Sequence, residues 1–436
     1  MISMEEIDQL KPFEARSIIE ELRKGSVPIE YVPVFTVGRK NWLNFIEDDL
    51  ENYIGQGGSK VRFISGDYGD GKTHFMSVIR HLAMEKGFAV SFVVLTRDVP
   101  IHKFETVYQS IVQQLQGDFT GVGIRNLLGE WLEKLAPTLT DGSEEECLTK
   151  RMALAETFQN IPGMDINFAN ALAALVNNRF GPGEDDGEDD GEDTRRDDHE
   201  VLLHWFEGGK VTKRELKPFL IYEFLNKANS RQFMNSLILF LRHIGHQGLI
   251  LLMDEMETVV AQSASIRNAA YENVRLFIDN SEAAQYLHIF FSIIPDVLVS
   301  EKGFKSYDAL WSRIRSIGET KKLNYRGVLV DIHQTPLKNQ ELVELGGCLR
   351  TLHGISYRWD PRESVSDEML ERICSNQKRM GVISEVRLFI KQLIQILDMA
   401  EQGESPENLD MGQQMVETRR EMEAEKIEQL QPSWDN

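Results

Sequence analysis

The run Val61-Arg62-Phe63-Ile64-Ser65 leads into Gly66-Asp67-Tyr68-Gly69-Asp70-Gly71-Lys72-Thr73, and this stretch decides how the rest of the chain is read. A β-branched and aromatic segment reaching G-x-x-x-x-G-K-[ST], then a helix-permissive run from His74 to Lys86, has the strand, loop and helix order of a phosphate-binding Walker A loop. Gly66, Gly69 and Gly71 let the backbone curl with its N–H groups inward, so an anion meets the positive end of the following helix. The pattern assigns Asp67, Tyr68, Asp70 and His74 to the same cradle, Lys72 to the β- and γ-phosphates of ATP, and Thr73 to Mg²⁺. Asp67 and Asp70 stand out, because they place two carboxylates in a loop built for an anion; both occupy variable positions whose side chains can turn away from the phosphates.

Downstream, Leu249-Ile250-Leu251-Leu252-Met253 ends in Asp254-Glu255, the Walker B pattern. A buried strand of this kind delivers one carboxylate to the Mg²⁺ shell and the next to the attacking water, so Asp254 is the metal-shell residue and Glu255 the catalytic base. Glu257, two positions further on, reads as a surface or supporting group. Between the two motifs, Phe88 to Leu95 is apolar at nearly every position, as in parallel strands covered on both faces. Tyr286 to Ile294 is a further strand, whose small polar Ser292 is the candidate for reading the γ-phosphate from a place between the Walker A and Walker B strands. The strand Val328 to Ile332 follows Leu310-Trp311-Ser312-Arg313-Ile314, where Arg313 occupies the position of an arginine finger acting in trans. Upstream, Val37-Gly38-Arg39 falls where an adenine-side segment is expected, with Gly38 and Arg39 as its binding residues. Strands at 61–65, 88–95, 249–254, 286–294 and 328–333 predict an α/β fold: a P-loop, AAA+-like, doubly wound parallel sheet of five strands with ligand at the carboxyl ends.

The expected organisation is a helical lead-in and adenine-side segment over 1–60 and an ATPase core over 61–334. A helical insertion occupies about 100–241, with helices at Phe104 to Leu115, Ile124 to Leu135, Glu145 to Phe158 and Ile166 to Asn178. A helical lid follows over 335–402, in which Arg387 is placed to reach the phosphates, and a charged tail runs over 403–436. Inside the insertion, Gly181 to His199 has almost nothing apolar to bury and reads as a mobile loop.

The chain of 436 residues carries 48 basic and 69 acidic side chains, a net charge of −21, and 11 of the acids lie between Glu184 and Glu200 against two arginines. So acidic a chain is no general polyanion binder; DNA contact is expected only through a local basic patch such as Lys321, Lys322 and Arg326, or Lys210, Lys213 and Arg214. Cys147, Cys348 and Cys374 lack C-x-x-C spacing and read as buried thiols rather than zinc ligands. No apolar run approaches the ~20 residues of a membrane span, and Met1 to Glu6 has no signal-peptide pattern, so no membrane association and a cytoplasmic location are expected.

Three segments, Ala15 to Gly25, Val37 to Arg39 and Gly66 to Phe75, resemble the ATP-binding proteins of BREX bacteriophage-exclusion systems, the BrxD family. The likeness is close over the N-terminal third and continues through Walker B and the helical end. Asp70 departs from the small residue the family more often has there, which is expected to bear on hydrolysis rate rather than on nucleotide binding. The resemblance implies an ATPase working beside a helicase and a DNA methyltransferase in antiviral defence. Two functions follow: a hydrolysing motor or loader that remodels DNA or places a helicase on it, assembling as a nucleotide-dependent homo-oligomer, or a nucleotide-gated switch or scaffold that turns over rarely.

Overall fold

The computed structural model describes Ile7, residues 9–181, 190–279, 284–315, 323–379 and 386–406, Gln413 and residues 416–420. The chain is a mixed α/β protein whose strands form one six-stranded sheet: β1 (Ser59–Ser65), β2 (Ala89–Val94), β3 (Leu115–Gln116), β4 (Leu249–Asp254), β5 (Leu287–Ile293) and β6 (Leu329–Asp331), in the order β3-β2-β4-β5-β1-β6. β2 runs parallel to β4, pairing Ala89 with Leu249 through Val94 with Asp254, and β4 runs parallel to β5, pairing Leu249 with Leu287 through Met253 with Phe291. Every residue of β4 and β5 is buried, which is why both strands are apolar almost throughout instead of alternating. β5 lies between β4 and β1, the place expected for the strand carrying Ser292.

The expected five parallel strands become six because Leu115 and Gln116 pair antiparallel with Ser91 and Val90. The helix predicted to reach Leu115 stops at Gln113, and Leu115 is fully buried against the sheet edge. Two residues are too few to show a period of two, so this strand had no pattern of its own in the sequence.

Two compact units divide the chain: Met1–Asn44, Ile64–His81 and Val330–Asn436 form the first, and Phe45–Phe63 with Leu82–Leu329 the second. In the first, helix Pro12–Arg23 buries Ala15, Ile18, Ile19 and Leu22 in a core shared with helices Asn339–Tyr357, Asp367–Arg379 and Val386–Glu401. A polar chain ties these helices together. Trp359 Nε1 donates to His353 Nδ1 at 3.0 Å, which leaves the proton of the neutral ring on Nε2, 3.0 Å from Asp398; Arg23 closes on the same carboxylate at 2.7 Å.

In the second unit the insertion is helical at Ile124–Leu139, Glu144–Gln159, Ile166–Phe180, Asp190–Phe206 and Ser230–His243. Ser143 and Glu146 form a capping box at the start of one helix, and Asp165 caps another by accepting from the Asn167 and Phe168 N–H groups. Residues 182–189 of the acidic tract lie outside the described residues, but the tract is not a loop throughout, since helix Asp190–Phe206 begins within it. The helix's far end supplies the reason: Leu202, Trp205 and Phe206 are buried among Phe168 and Phe233 and anchor the polar half. The three cysteines are free and buried. Among the described residues no helix is long and apolar enough to cross a membrane.

Candidate nucleotide-binding site

The Walker A loop lies in the first unit, between β1 and helix Lys72–Glu85. Gly69 and Gly71 have φ of +91° and +87°, a region that costs other residues about 1–2 kcal/mol. Gly66 is needed for a different reason: a Cβ there would lie 2.7 Å from Ile332. Lys72 is buried, and its ammonium points back to the Gly66 carbonyl at 3.0 Å and the Asp67 carbonyl at 3.3 Å, with the Tyr68 ring 5.1 Å away. Among the described residues no carboxylate forms an ion pair with it. A buried ammonium held by carbonyl oxygens and aromatic face, at the N-terminus of a long helix, fits an incoming anion, and the loop residues fit the phosphates of ATP.

Gly38 and Arg39 act on this same loop. Both have positive φ, +70° and +54°, and a Cβ at Gly38 would meet Leu337 at 2.6 Å and Glu341 at 2.9 Å. This sharp turn brings the Arg39 guanidinium to the Asp70 carbonyl at 2.6 Å, where burial lowers its pKa to about 10 against the pull of Asp70 and Glu341. His74 accepts or donates at Thr36 Oγ1, 3.1 Å away, and burial with the nearby Arg39 charge pushes its pKa down to about 3, so it is neutral. Arg387 touches the loop by its backbone, its N–H donating to Gly69 O at 3.3 Å, while its side chain passes Gly25.

The two awkward acids have a partner the sequence reading missed. Asp70 is 1% exposed and turned toward the end of β6: one carboxylate oxygen accepts from the Asp67 N–H at 2.7 Å and lies 3.0 Å from His333 Nδ1. Asp67 reaches the same nitrogen at 3.5 Å, and the bond to Asp70 holds His333 above the ordinary imidazole value despite partial burial. The available signal was positional, since His333 closes the stretch read as a strand at 328–333.

Asp254, Glu255, Ser292 and Arg313 belong to the second unit. Asp254 ends β4, and the Ser292 hydroxyl donates to its Oδ1. The Glu255 N–H lies 3.0 Å from both that oxygen and Ser292 Oγ. Glu255 takes a left-handed φ of +64°, and Glu257 follows in the single turn Met256–Val259. Ser292 thus holds the Asp254 carboxylate and the backbone of Glu255. Arg313 is bound to Asp279, a carboxylate shared with Arg275, and to the Ala309 carbonyl. Of the basic patches, Lys321 and Lys322 lie outside the described residues; Arg326 pairs with Asp48 at 3.0 Å, and Lys213 and Arg214 are exposed.

Sheet and loop together are consistent with a P-loop-like α/β protein. More particularly, the family model for the BREX system ATP-binding protein BrxC/D matches residues 10–416, and the chain belongs to that family. Nucleotide binding is implied by that description, which suggests a part in BREX defence. No curated protein and no solved structure matches the chain.

Proposed function

We propose that the protein is a Mg²⁺-dependent ATPase of AAA+-like type in BREX defence, remodelling DNA or loading a partner helicase. The observation that carries this is the buried Lys72 ammonium, held by loop carbonyls between Gly66 and the helix that follows. In this reading Lys72 and the loop amides take the phosphates, Arg39 stiffens the loop through the Asp70 carbonyl, and Thr73 offers its hydroxyl to Mg²⁺. Asp254 serves the metal shell, Glu255 activates water, Ser292 positions the Asp254 carboxylate and the Glu255 backbone, and Arg387 approaches the loop from the lid. Bound ATP supplies the phosphoanhydride whose cleavage drives conformational work.

Calorimetry tests the binding half. Lys72→Ala should abolish tight Mg-ATP binding, and equal affinity in wild type and variant would sink the assignment. Glu255→Gln should keep ATP while slowing hydrolysis by orders of magnitude; normal turnover would move the base elsewhere, with Glu257 first in line.

A second reading, a nucleotide-gated switch or scaffold with little intrinsic turnover, is favoured by the pairing of Arg313 with Asp279. A finger must leave that carboxylate before it can meet a neighbouring subunit's phosphates. ATP turnover measured with and without DNA, across protein concentration, separates the two.

A further inference from the structure

The Walker A reading leaves Asp67 and Asp70 unexplained, and the first unit gathers them with a third donor. We propose that Asp67, Asp70 and His333 form a binding site for a first-row divalent transition cation of the Zn²⁺, Mn²⁺ or Co²⁺ class, on the shoulder of the nucleotide loop. One ligand atom from each residue lies within 4.8 Å of the other two. The closest pairs, 3.0 Å between Asp70 Oδ2 and His333 Nδ1 and 3.5 Å between Asp67 Oδ2 and the same nitrogen, can be compared with a coordination sphere. Donors about 2.1 Å from a common centre stand roughly 3.0 Å apart at octahedral angles and roughly 3.4 Å at tetrahedral ones. The exposed Asp67 side chain has the freedom to close the remaining gap.

A simple ion pair accounts for less of what is present. His333 Nδ1 carries at most one proton, yet two carboxylates face it. Asp70 Oδ1 is buried and has no hydrogen-bond partner, although its residue is 99% enclosed. A cation uses what an ion pair leaves over: two carboxylates balance a 2+ charge, and the second oxygen of Asp70 turns from an orphan acceptor into a ligand atom. One imidazole with two carboxylates favours borderline transition ions over Mg²⁺ and Ca²⁺, which take oxygen alone. Three protein ligands leave positions for water or a phosphate oxygen. Because two ligands belong to the loop, a bound cation ties its Gly66–Gly71 arc to the end of β6.

This site needs neither nucleotide nor hydrolysis. The test is titration of the full-length, chelator-treated protein with Co²⁺, read by its visible d–d absorption, without nucleotide. One saturable equivalent per chain is expected, displaced by Zn²⁺ but not by Mg²⁺ in thousandfold excess. His333→Ala and Asp67→Asn, both at exposed positions that leave the core intact, should each weaken binding at least tenfold, whereas Lys72→Ala and Asp254→Asn should bind Co²⁺ as wild type does. Absence of a saturable 1:1 signal, unchanged affinity in His333→Ala, or loss in Asp254→Asn overturns the proposal. Loss of ATP binding in Lys72→Ala with Co²⁺ binding retained separates this site from the nucleotide reading.

Discussion

Ser292→Ala removes one hydroxyl from the interior of β5, and its consequences can be worked out from two contacts. The hydroxyl donates to the buried Asp254 carboxylate and accepts from the Glu255 N–H at 3.0 Å; Ser292 itself is fully buried, so water cannot take its place without entering the core. A hydrogen bond to a charged group contributes about 1.5–3 kcal/mol. The Glu255 N–H keeps its second contact, 3.0 Å to Asp254, which limits the loss on that side. A cost of about 2 kcal/mol follows, and for a unit of more than 250 residues that is a fall of roughly 3–4 °C in Tm. Differential scanning calorimetry of wild type, Ser292→Ala and Ser292→Cys is the assay, with the cysteine intermediate because it keeps volume but donates weakly. The same variants titrated with ATP across Mg²⁺ concentration should need more Mg²⁺, since Asp254 loses the group that orients it. If Ser292→Ala melts within about 1 °C of wild type and shows unchanged Mg²⁺ dependence, the serine does not hold the Asp254 carboxylate and this reasoning fails.

Gly71→Ala should lower ATP affinity by roughly 5- to 30-fold, since a left-handed φ of +87° costs an alanine about 1–2 kcal/mol, measured by calorimetry against Gly129→Ala as a control with open space around it. Asp49→Ala should destabilise by about 3–5 kcal/mol in chemical denaturation, because it strips the fully buried Arg62 of its carboxylate; Asp49→Leu with Arg62→Met should cost far less. His288 is buried with neither ring nitrogen hydrogen-bonded, and burial, with Arg62 and Lys60 nearby, drives its pKa well below 6.5. Its folded pKa is lowered, so the stability tied to its neutral form is present above about pH 6.5 and lost as pH falls below that value. His288→Phe should therefore raise Tm and flatten its fall between pH 7 and pH 5, and an unchanged pH profile would refute this. Arg313→Ala mixed with Lys72→Ala should recover ATPase activity if the finger acts across subunits, and mixed assemblies seen by light scattering without recovery count against it.

The sequence alone determined the elements whose signal is local. Gly66 to Thr73 carries the G-x-x-x-x-G-K-T spacing on a loop between a strand and a helix, Leu249 to Glu255 is a buried strand ending in paired acids, and apolar runs placed the main strands within a residue or two of where they lie. Apolar spacing also located four of the insertion helices, at Phe104–Gln113, Ile124–Leu139, Glu144–Gln159 and Ile166–Phe180, but not Asp190–Phe206 or Ser230–His243. What only the tertiary structure decided were relations between distant residues. β3 is two residues long and exists through its pairing with β2, and the acidic tract turns helical at Asp190 because Trp205 and Phe206 find a core sixteen or so residues further on. Arg39 bonds to the loop, Ser292 holds the Asp254 carboxylate and the Glu255 backbone, Arg313 settles on Asp279, and Asp70 turns to His333 across 263 positions of sequence. Sequence spacing fixes which residue types a loop or strand can present; the direction of a buried polar side chain is fixed by whichever partner its desolvation demands, and that partner is supplied by the fold.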